Sequence, residues 1–239
     1  MSDMFQNCNN LIKLDISKLK TDSMTIMENM FKGCSKLESV GLSNLKTDEV
    51  TNMKGMFQEC EQLKELNLSN LNTDKGEDME GLFSFCSSSY KLDLFSFKNV
   101  KNMNDLFLES NSLIELDLSK FKLNKVQQMN KMFYKCKSLE TLKMFKLNHK
   151  NEIFIESKFY ECSKLRDLNL SNFTVFDVND LSNLFYKCSS IVNLDLSNFK
   201  ECSSLTKTSN MFYKCSSLVN INLSNLEAIN LKDMSNMFS

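Results

Sequence analysis

The sequence predicts an α/β solenoid in which each repeat of 26 residues contributes one short helix and one short strand. Three observations support this class: a Phe at near-constant spacing, a helical pattern of apolar residues around it, and an LxxLxL pattern after it. The anchor Phe residues, 24 to 27 residues apart, are Phe5, Phe31, Phe57, Phe83, Phe107, Phe133, Phe159, Phe185, Phe212 and Phe238. We expect residues 1–239 to form a single array of about nine units, without separate caps.

The helix of each unit is predicted from the residues around the anchor Phe. In one unit, apolar side chains recur three and four residues apart, at Val50, Met53, Met56, Phe57 and Cys60. This spacing places them on one face of a short amphipathic helix. Thr47 and Asp48 lie just upstream, where their side chains can accept hydrogen bonds from the first N–H groups of a helix.

The strand of each unit is predicted from the leucines that follow. Leu63, Leu66 and Leu68 form an LxxLxL pattern whose last residues alternate as in a strand, and Leu71 then turns back inward. The pattern and the repeat length are leucine-rich-repeat-like, since such repeats span about 20–29 residues. One such unit cannot bury its own apolar face, so stacked copies should form a parallel sheet along one face.

The composition narrows the class of function. The chain is 42% hydrophobic and 25% charged, with a net charge of −1, which indicates a folded protein without a general attraction to nucleic acid. It holds a single histidine, and neither a Gly-rich loop nor paired metal-ligand spacing occurs in the sequence. We therefore predict that the protein is not an enzyme, with no catalytic residue, no cofactor and no metal site.

Cysteine follows the anchor Phe by three residues in eight units, and Ser110 replaces it in one. The 26-residue spacing does not match a zinc site. Cysteines of neighbouring repeats would come within disulfide-bonding distance only if their side chains point at each other. We interpret the column as buried free thiols that pack as small apolar groups. Cys202 lies off the column and is the best candidate for an exposed thiol, with an ordinary loop residue as the favoured alternative. Most methionines fall one or four residues before an anchor Phe and are interpreted as core.

The motif MFxxCxxLxxLxLSNL, seen in Met56-Phe57, Cys60 and Leu66–Asn70, resembles the BspA-like leucine-rich-repeat surface proteins, in the variant found in mycoplasma lipoproteins. The resemblance covers essentially the whole chain. It implies a repeat array displayed for protein contact, and it implies no catalytic residues. It also hints at a cell-surface location, although the chain begins without a signal peptide and contains no transmembrane segment.

Outward strand positions form two polar columns, one of Asp and Asn and one of Ser. One interpretation is a solvated polar face that resists non-specific association. The other is a ligand-binding surface on the extended sheet. Phe95 and Phe145 interrupt the serine column, and Lys143 interrupts the other. Because exposed aromatic residues are common contact anchors, we predict a contact patch of Phe95, Lys143 and Phe145.

Tyrosine follows the anchor Phe in four consecutive units, at Tyr134, Tyr160, Tyr186 and Tyr213, and Lys follows three of these tyrosines. Two interpretations stand side by side: stacking between adjacent turns with the hydroxyls in water, and a docking surface for a partner. The unit from His149 to Phe159 departs most from the pattern, since Glu152, Glu156 and Lys158 replace expected apolar residues. We interpret that departure as sequence drift, with a domain boundary and a functional bulge as the alternatives.

These patterns favour a non-catalytic protein–protein interaction or structural scaffold repeat protein. Its partners would be proteins, including further repeats of the same array, and neither nucleic acid nor membrane insertion is expected. Both ends of the chain lie at the same phase of the repeat, which suggests a longer array or a larger assembly. The alternative is an extracellular adhesin that binds a host or matrix ligand.

Overall fold

The computed structural model describes residues 1–64, 66–68, 71–86, 98–119, 123, 125–148 and 154–239. These residues form a solenoid of parallel β-strands. The ten strands are β1 (Lys13–Asp15), β2 (Ser39–Gly41), β3 (Glu115–Asp117), β4 (Thr141–Lys143), β5 (Leu147–Asn148), β6 (Asp167–Asn169), β7 (Phe173–Phe176), β8 (Asn193–Asp195), β9 (Phe199–Lys200) and β10 (Asn220–Asn222).

The LxL strands confirm the predicted parallel sheet along one side. They pair as β1–β2, β3–β4–β6 and β8–β10, always in parallel and one repeat apart. In the central sheet Leu116 lies opposite Leu142, which lies opposite Leu168. The register follows from the alternation, because the middle residue of each strand points into the core and its neighbours point outward.

A second row of strands was not predicted. β5, β7 and β9 form another parallel sheet on the next side of the coil, in the C-terminal half. The sequence Phe173-Thr174-Val175-Phe176 in β7 is rich in β-branched and aromatic residues, which suit a strand. In several earlier repeats the equivalent stretch reads Lys-Thr-Asp or Asn-Thr-Asp. Asn and Asp favour turns, so a strand is not favoured there.

The predicted helix around the anchor Phe is wrong. No α-helix occurs in the part of the chain that the structure describes; the segment is a run of turns. Two residues in each full turn, two before and two after the Phe, have positive φ, for example Asn29 (51°) and Gly33 (74°) around Phe31. A left-handed residue cannot continue a right-handed helix, so the chain turns again at each one.

Backbone hydrogen bonds of this segment run between repeats instead of along a helix. The amide of Phe31 donates to the carbonyl of Met56 at 2.9 Å, and the amide of Asn29 donates to Lys54 at 2.8 Å. The predicted helix cap is absent for the same reason: the buried hydroxyl of Thr47 donates to the carbonyl of Asn72 in the next repeat. Each repeat therefore satisfies its polar backbone groups through its neighbour.

The core is a set of ladders that run along the solenoid. The anchor Phe rings stack from Phe5 to Phe238 with centroids 5.2–5.9 Å apart. Beside them, cysteine thiols from Cys34 to Cys215 donate to the carbonyl of the preceding anchor Phe at 3.0–3.2 Å. Ser110 keeps this contact, since its hydroxyl donates to Phe83 at 2.8 Å.

The cysteines are free thiols in this structure. Those in the ladder serve as hydrogen-bond donors in addition to packing. Burial raises the pKa of the Cys136 thiol to about 12, so this group is a neutral donor at physiological pH. Cys202 is not exposed: its side chain is completely buried in the hydrophobic core, two residues after the end of β9. Among the described residues, no helix is long and apolar enough to cross a membrane.

Candidate interaction surface

Of the predicted patch of Phe95, Lys143 and Phe145, the structure describes Lys143 and Phe145. Phe95 lies outside the described residues. Lys143 is exposed at the end of β4, and its ammonium lies 3.2 Å from a carboxylate oxygen of Asp117 in the preceding repeat. Phe145 is buried, with only 1% of its surface exposed, so it cannot serve as an exposed contact residue.

Phe145 turns inward because the alternation of strand β4 ends there. Both Met144 and Phe145 are buried, whereas strict alternation would expose one of them. The Phe145 ring packs edge-on against Phe173, with centroids 5.6 Å apart. Its other neighbour is the side chain of Lys158, whose amine lies 5.6 Å from the ring centroid. The inward turn thus depends on residues from two other segments of the chain.

The polar columns of the sheet face have a structural role. At five described positions of the first column, the Asp or Asn side chain accepts a hydrogen bond from the backbone N–H two residues later and so ends the strand in an Asx turn. The pairs are Asp15 with Ser17, Asp117 with Ser119, Asn169 with Ser171, Asp195 with Ser197 and Asn222 with Ser224. The amide bond from Ser197 lowers the pKa of Asp195, and the hydroxyl and amide of Ser119, together with Lys143, lower the pKa of Asp117 to about 2.

The four tyrosines after the anchor Phe form a continuous stack on the turn side of the solenoid. Neighbouring ring centroids lie 4.5 Å apart for Tyr134 and Tyr160, 4.4 Å for Tyr160 and Tyr186, and 4.9 Å for Tyr186 and Tyr213. All four side chains are half-buried. The stacking interpretation is therefore correct in its geometry, while the exposed part of each ring still faces solvent.

The residue after each tyrosine has positive φ, which places its side chain beside the ring. These residues are Lys135, Glu161, Lys187 and Lys214, with φ between 54° and 56°. The three lysine ammonium groups lie 5.2–5.3 Å from the centroid of the preceding tyrosine ring, within the range of a cation–π contact. The ammonium group of Lys131 lies 5.9 Å from the centroid of Tyr134. We call Tyr134, Tyr160, Tyr186, Tyr213 and these four lysines the Tyr–Lys stripe.

Two glutamates pair with lysines of the stripe. Lys135 lies 3.2 Å from Glu109, and Lys187 lies 2.8 Å from Glu161; both hydrogen bonds raise the pKa of the lysine. Burial, together with the adjacent tyrosines, raises the pKa of Tyr160 to about 12. Its hydroxyl therefore stays protonated and can donate a hydrogen bond at neutral pH.

Two features were missed by sequence reasoning. Lys158 is completely buried in the core, which its position one residue before an anchor Phe could have indicated. The side chain of Phe154 is 42% exposed. It belongs to a row of single-residue β-bridges between neighbouring repeats, and the other residues of that row are mainly polar. Phe154 also lines a shallow cavity of about 280 Å³. In the described part of the chain, no group of three or more His, Cys, Asp or Glu side chains is placed to hold a metal ion.

Comparison with known proteins identifies one family. The family described as "Mycoplasma protein of unknown function, DUF285" matches residues 1–98, 88–167 and 150–239, which together span the chain. No curated protein matches the sequence.

Solved structures with similarity to this chain are leucine-rich repeat proteins. A protein from Bacteroides ovatus shares 23% identity over 98% of this chain and 77% of its own, with a TM-score of 0.41. A protein from T. pallidum shares 17% identity over 70% of each chain, with a TM-score of 0.38. A leucine-rich cell surface protein from Faecalibacterium prausnitzii shares 19% identity over 92% of this chain and 75% of its own, with a TM-score of 0.28.

Proposed function

The chain belongs to the DUF285 family, among the BspA-like leucine-rich repeat proteins, and on that premise we propose that it is a non-catalytic scaffold that binds a protein partner through the Tyr–Lys stripe. Residues 1–239 would act as one array, since the Phe ladder runs from Phe5 to Phe238 and couples each unit to the next. Repeat arrays of this kind offer extended surfaces on which a partner can lie across several units.

The observation that supports this role is the confinement of the tyrosines to one half of the array. The equivalent positions in earlier units hold Gln6, Lys32, Gln58, Ser84 and Leu108, so the fold does not require an aromatic side chain there. Four half-exposed tyrosines in consecutive units therefore serve something other than stability alone. Tyrosine is enriched at protein interfaces because it presents a large rigid surface and a polar end.

Affinity capture with a matched variant tests the proposal. The variant replaces Tyr134, Tyr160, Tyr186 and Tyr213 by Gln, the residue that Gln58 already places at this position. The control replaces Gln6 and Gln58 by Ser, as at Ser84. We expect proteins from the source cells to be recovered with the parent and control chains, and to be lost with the tyrosine variant, as measured by quantitative mass spectrometry.

An unchanged set of captured proteins with the tyrosine variant would contradict this role. The adhesin alternative is separated by location, since a surface adhesin is removed by protease treatment of intact cells and an internal scaffold is not. Circular dichroism and denaturant unfolding of the variant establish that the array is still folded, so a loss of capture is assigned to the surface.

A further inference from the structure

The Tyr–Lys stripe exposes only certain parts of its tyrosine rings. Tyr160 and Tyr186 each have a neighbouring tyrosine on both faces, with centroids 4.4–4.9 Å away. Since the faces of these half-buried rings are covered, the parts in contact with solvent are the edges, including the hydroxyl groups. These two inner rings therefore offer no open aromatic face on which a sugar ring or a base could stack, whereas Tyr134 and Tyr213 each stack on a tyrosine through one face.

The tyrosine edges and the lysine ammonium groups of the stripe favour negative charge, against the two carboxylates of Glu109 and Glu161 that lie beside them. The edge of an aromatic ring carries the positive part of its quadrupole, and a protonated phenol donates a hydrogen bond. The lysine ammonium groups beside the rings add donors with full positive charge. The chain as a whole has a net charge of −1, so this preference is a local property of the stripe.

The outer lysines are the ones available to a partner. Lys135 and Lys187 already pair with Glu109 and Glu161, whereas the exposed Lys131 and Lys214 make no ion pair within 4 Å with any described residue. Lys131 acts at longer range on the half-buried Asp105, whose pKa burial raises. The two available ammonium groups stand at opposite ends of the stack, since Lys131 lies beside Tyr134 and Lys214 beside Tyr213.

We infer that the Tyr–Lys stripe binds a carboxylate-rich segment of a partner protein, with Asp and Glu side chains accepting hydrogen bonds from the tyrosine hydroxyls and the outer lysines. This inference rests on the proposed function and names the chemistry of the partner. Four tyrosines in a regular row allow one acidic segment to make several contacts at once. Such repeated contacts give useful affinity even where each one contributes little.

Intrinsic fluorescence provides a direct assay. The chain has no Trp, and four of its five tyrosines belong to the stripe, so its tyrosine emission reports mainly on this surface. The probe is a synthetic oligoglutamate peptide, with oligolysine and inorganic polyphosphate as comparison ligands. We expect a saturable change in emission with oligoglutamate, no change with oligolysine, and weaker binding of polyphosphate.

A charge-matched pair of variants assigns the effect to the stripe. Replacement of Lys131 and Lys214 by Gln should weaken oligoglutamate binding by about tenfold or more. The control replaces Lys32 and Lys46 by Gln, which changes the net charge equally in the N-terminal half, and should leave binding unchanged. Equal loss in both variants, or equally tight binding of polyphosphate, would overturn the inference, because either result indicates attraction to any polyanion.

Competition separates this inference from the proposed function. If capture of partners depends on the tyrosines and oligoglutamate releases them, both are supported. If capture depends on the tyrosines and oligoglutamate does not release the partner, the acidic chemistry is wrong and the interaction surface stands. If the tyrosine variant captures the same proteins as the parent chain, the interaction surface itself is wrong.

Discussion

Lys158 stands in a core column that holds Met or Leu in other units, such as Met56, Met132 and Leu184. Its amine lies 3.3 Å and 3.4 Å from the sulfur atoms of Met129 and Met132. No carboxylate of the described residues pairs with it, and the ring of Phe173 lies 5.0 Å away. Burial in these apolar surroundings holds the pKa of the amine well below its ordinary value.

Replacement of Lys158 by Met should stabilise the protein. Met fills the same volume without placing an amine among sulfur atoms and rings, and an uncompensated buried polar group costs about 1–3 kcal/mol. We expect the free energy of unfolding in denaturant to rise by about that amount. Lys164, on the surface, is the matched control, and its replacement by Met should change stability by less than about 0.5 kcal/mol.

The same variant should remove a pH dependence of stability. Because the pKa of Lys158 is lower in the folded chain than in the unfolded chain, the unfolded chain binds the additional proton between those two values. The folded chain loses stability because it does not bind this proton. That loss is complete at pH values below the folded pKa, and it disappears as the pH rises through the unfolded value of 10.5. The advantage of the Met variant should therefore shrink from pH 7 towards pH 10.5; an advantage independent of pH would show that Lys158 is charged in the fold.

At the scale of the element, the burial of the turn segment could be predicted from the sequence, but its backbone conformation could not. Spacings of three and four residues correctly placed Met53, Met56, Phe57 and Cys60 in the core, because stacked turns and a helix bury the same positions. Stacked turns differ from a helix in that they contain residues in the left-handed conformation. Most of these residues are Asn, Asp, Lys, Glu or Ser rather than Gly. Their conformation is set by hydrogen bonds to the next repeat, which no single repeat reveals.

The strands were more predictable than the surface. The LxL alternation determines which side chain of each strand points inward, so the register could be derived from one unit. The direction of Phe145 could not, because it depends on Phe173 and Lys158, which come from other units. The Tyr–Lys stripe was visible as a spacing, but the glutamates that pair with Lys135 and Lys187 belong to neighbouring repeats.

The Asx turn that ends strand β8 offers a test of element-scale stability. Asp195 accepts a hydrogen bond from the amide of Ser197 at 2.9 Å, and Asn occupies the equivalent position at Asn169 and Asn222. Replacement of Asp195 by Ala should lower the free energy of unfolding by about 0.5–1.5 kcal/mol, the range of a single net hydrogen bond. Replacement by Asn should retain most of it in denaturant unfolding; equal losses would show that charge rather than the turn matters.

At the scale of the whole molecule, each repeat is joined to the next by backbone hydrogen bonds, stacked rings and ion pairs between side chains 24 to 27 residues apart. Such nearest-neighbour coupling makes the surface columns regular, so that a change in one column creates a continuous surface over several units. The Tyr–Lys stripe is such a change. It gives the C-terminal half of the array a surface that the N-terminal half lacks.

Site-specific photo-crosslinking tests this account most directly. A benzophenone amino acid is introduced at Tyr186 in one chain and at the equivalent Gln58 in another, and both chains are irradiated in the source cells. We expect a crosslinked partner from position 186, with the crosslink in or beside an acidic segment of that partner, and none from position 58. The same crosslinked proteins from both positions would contradict it.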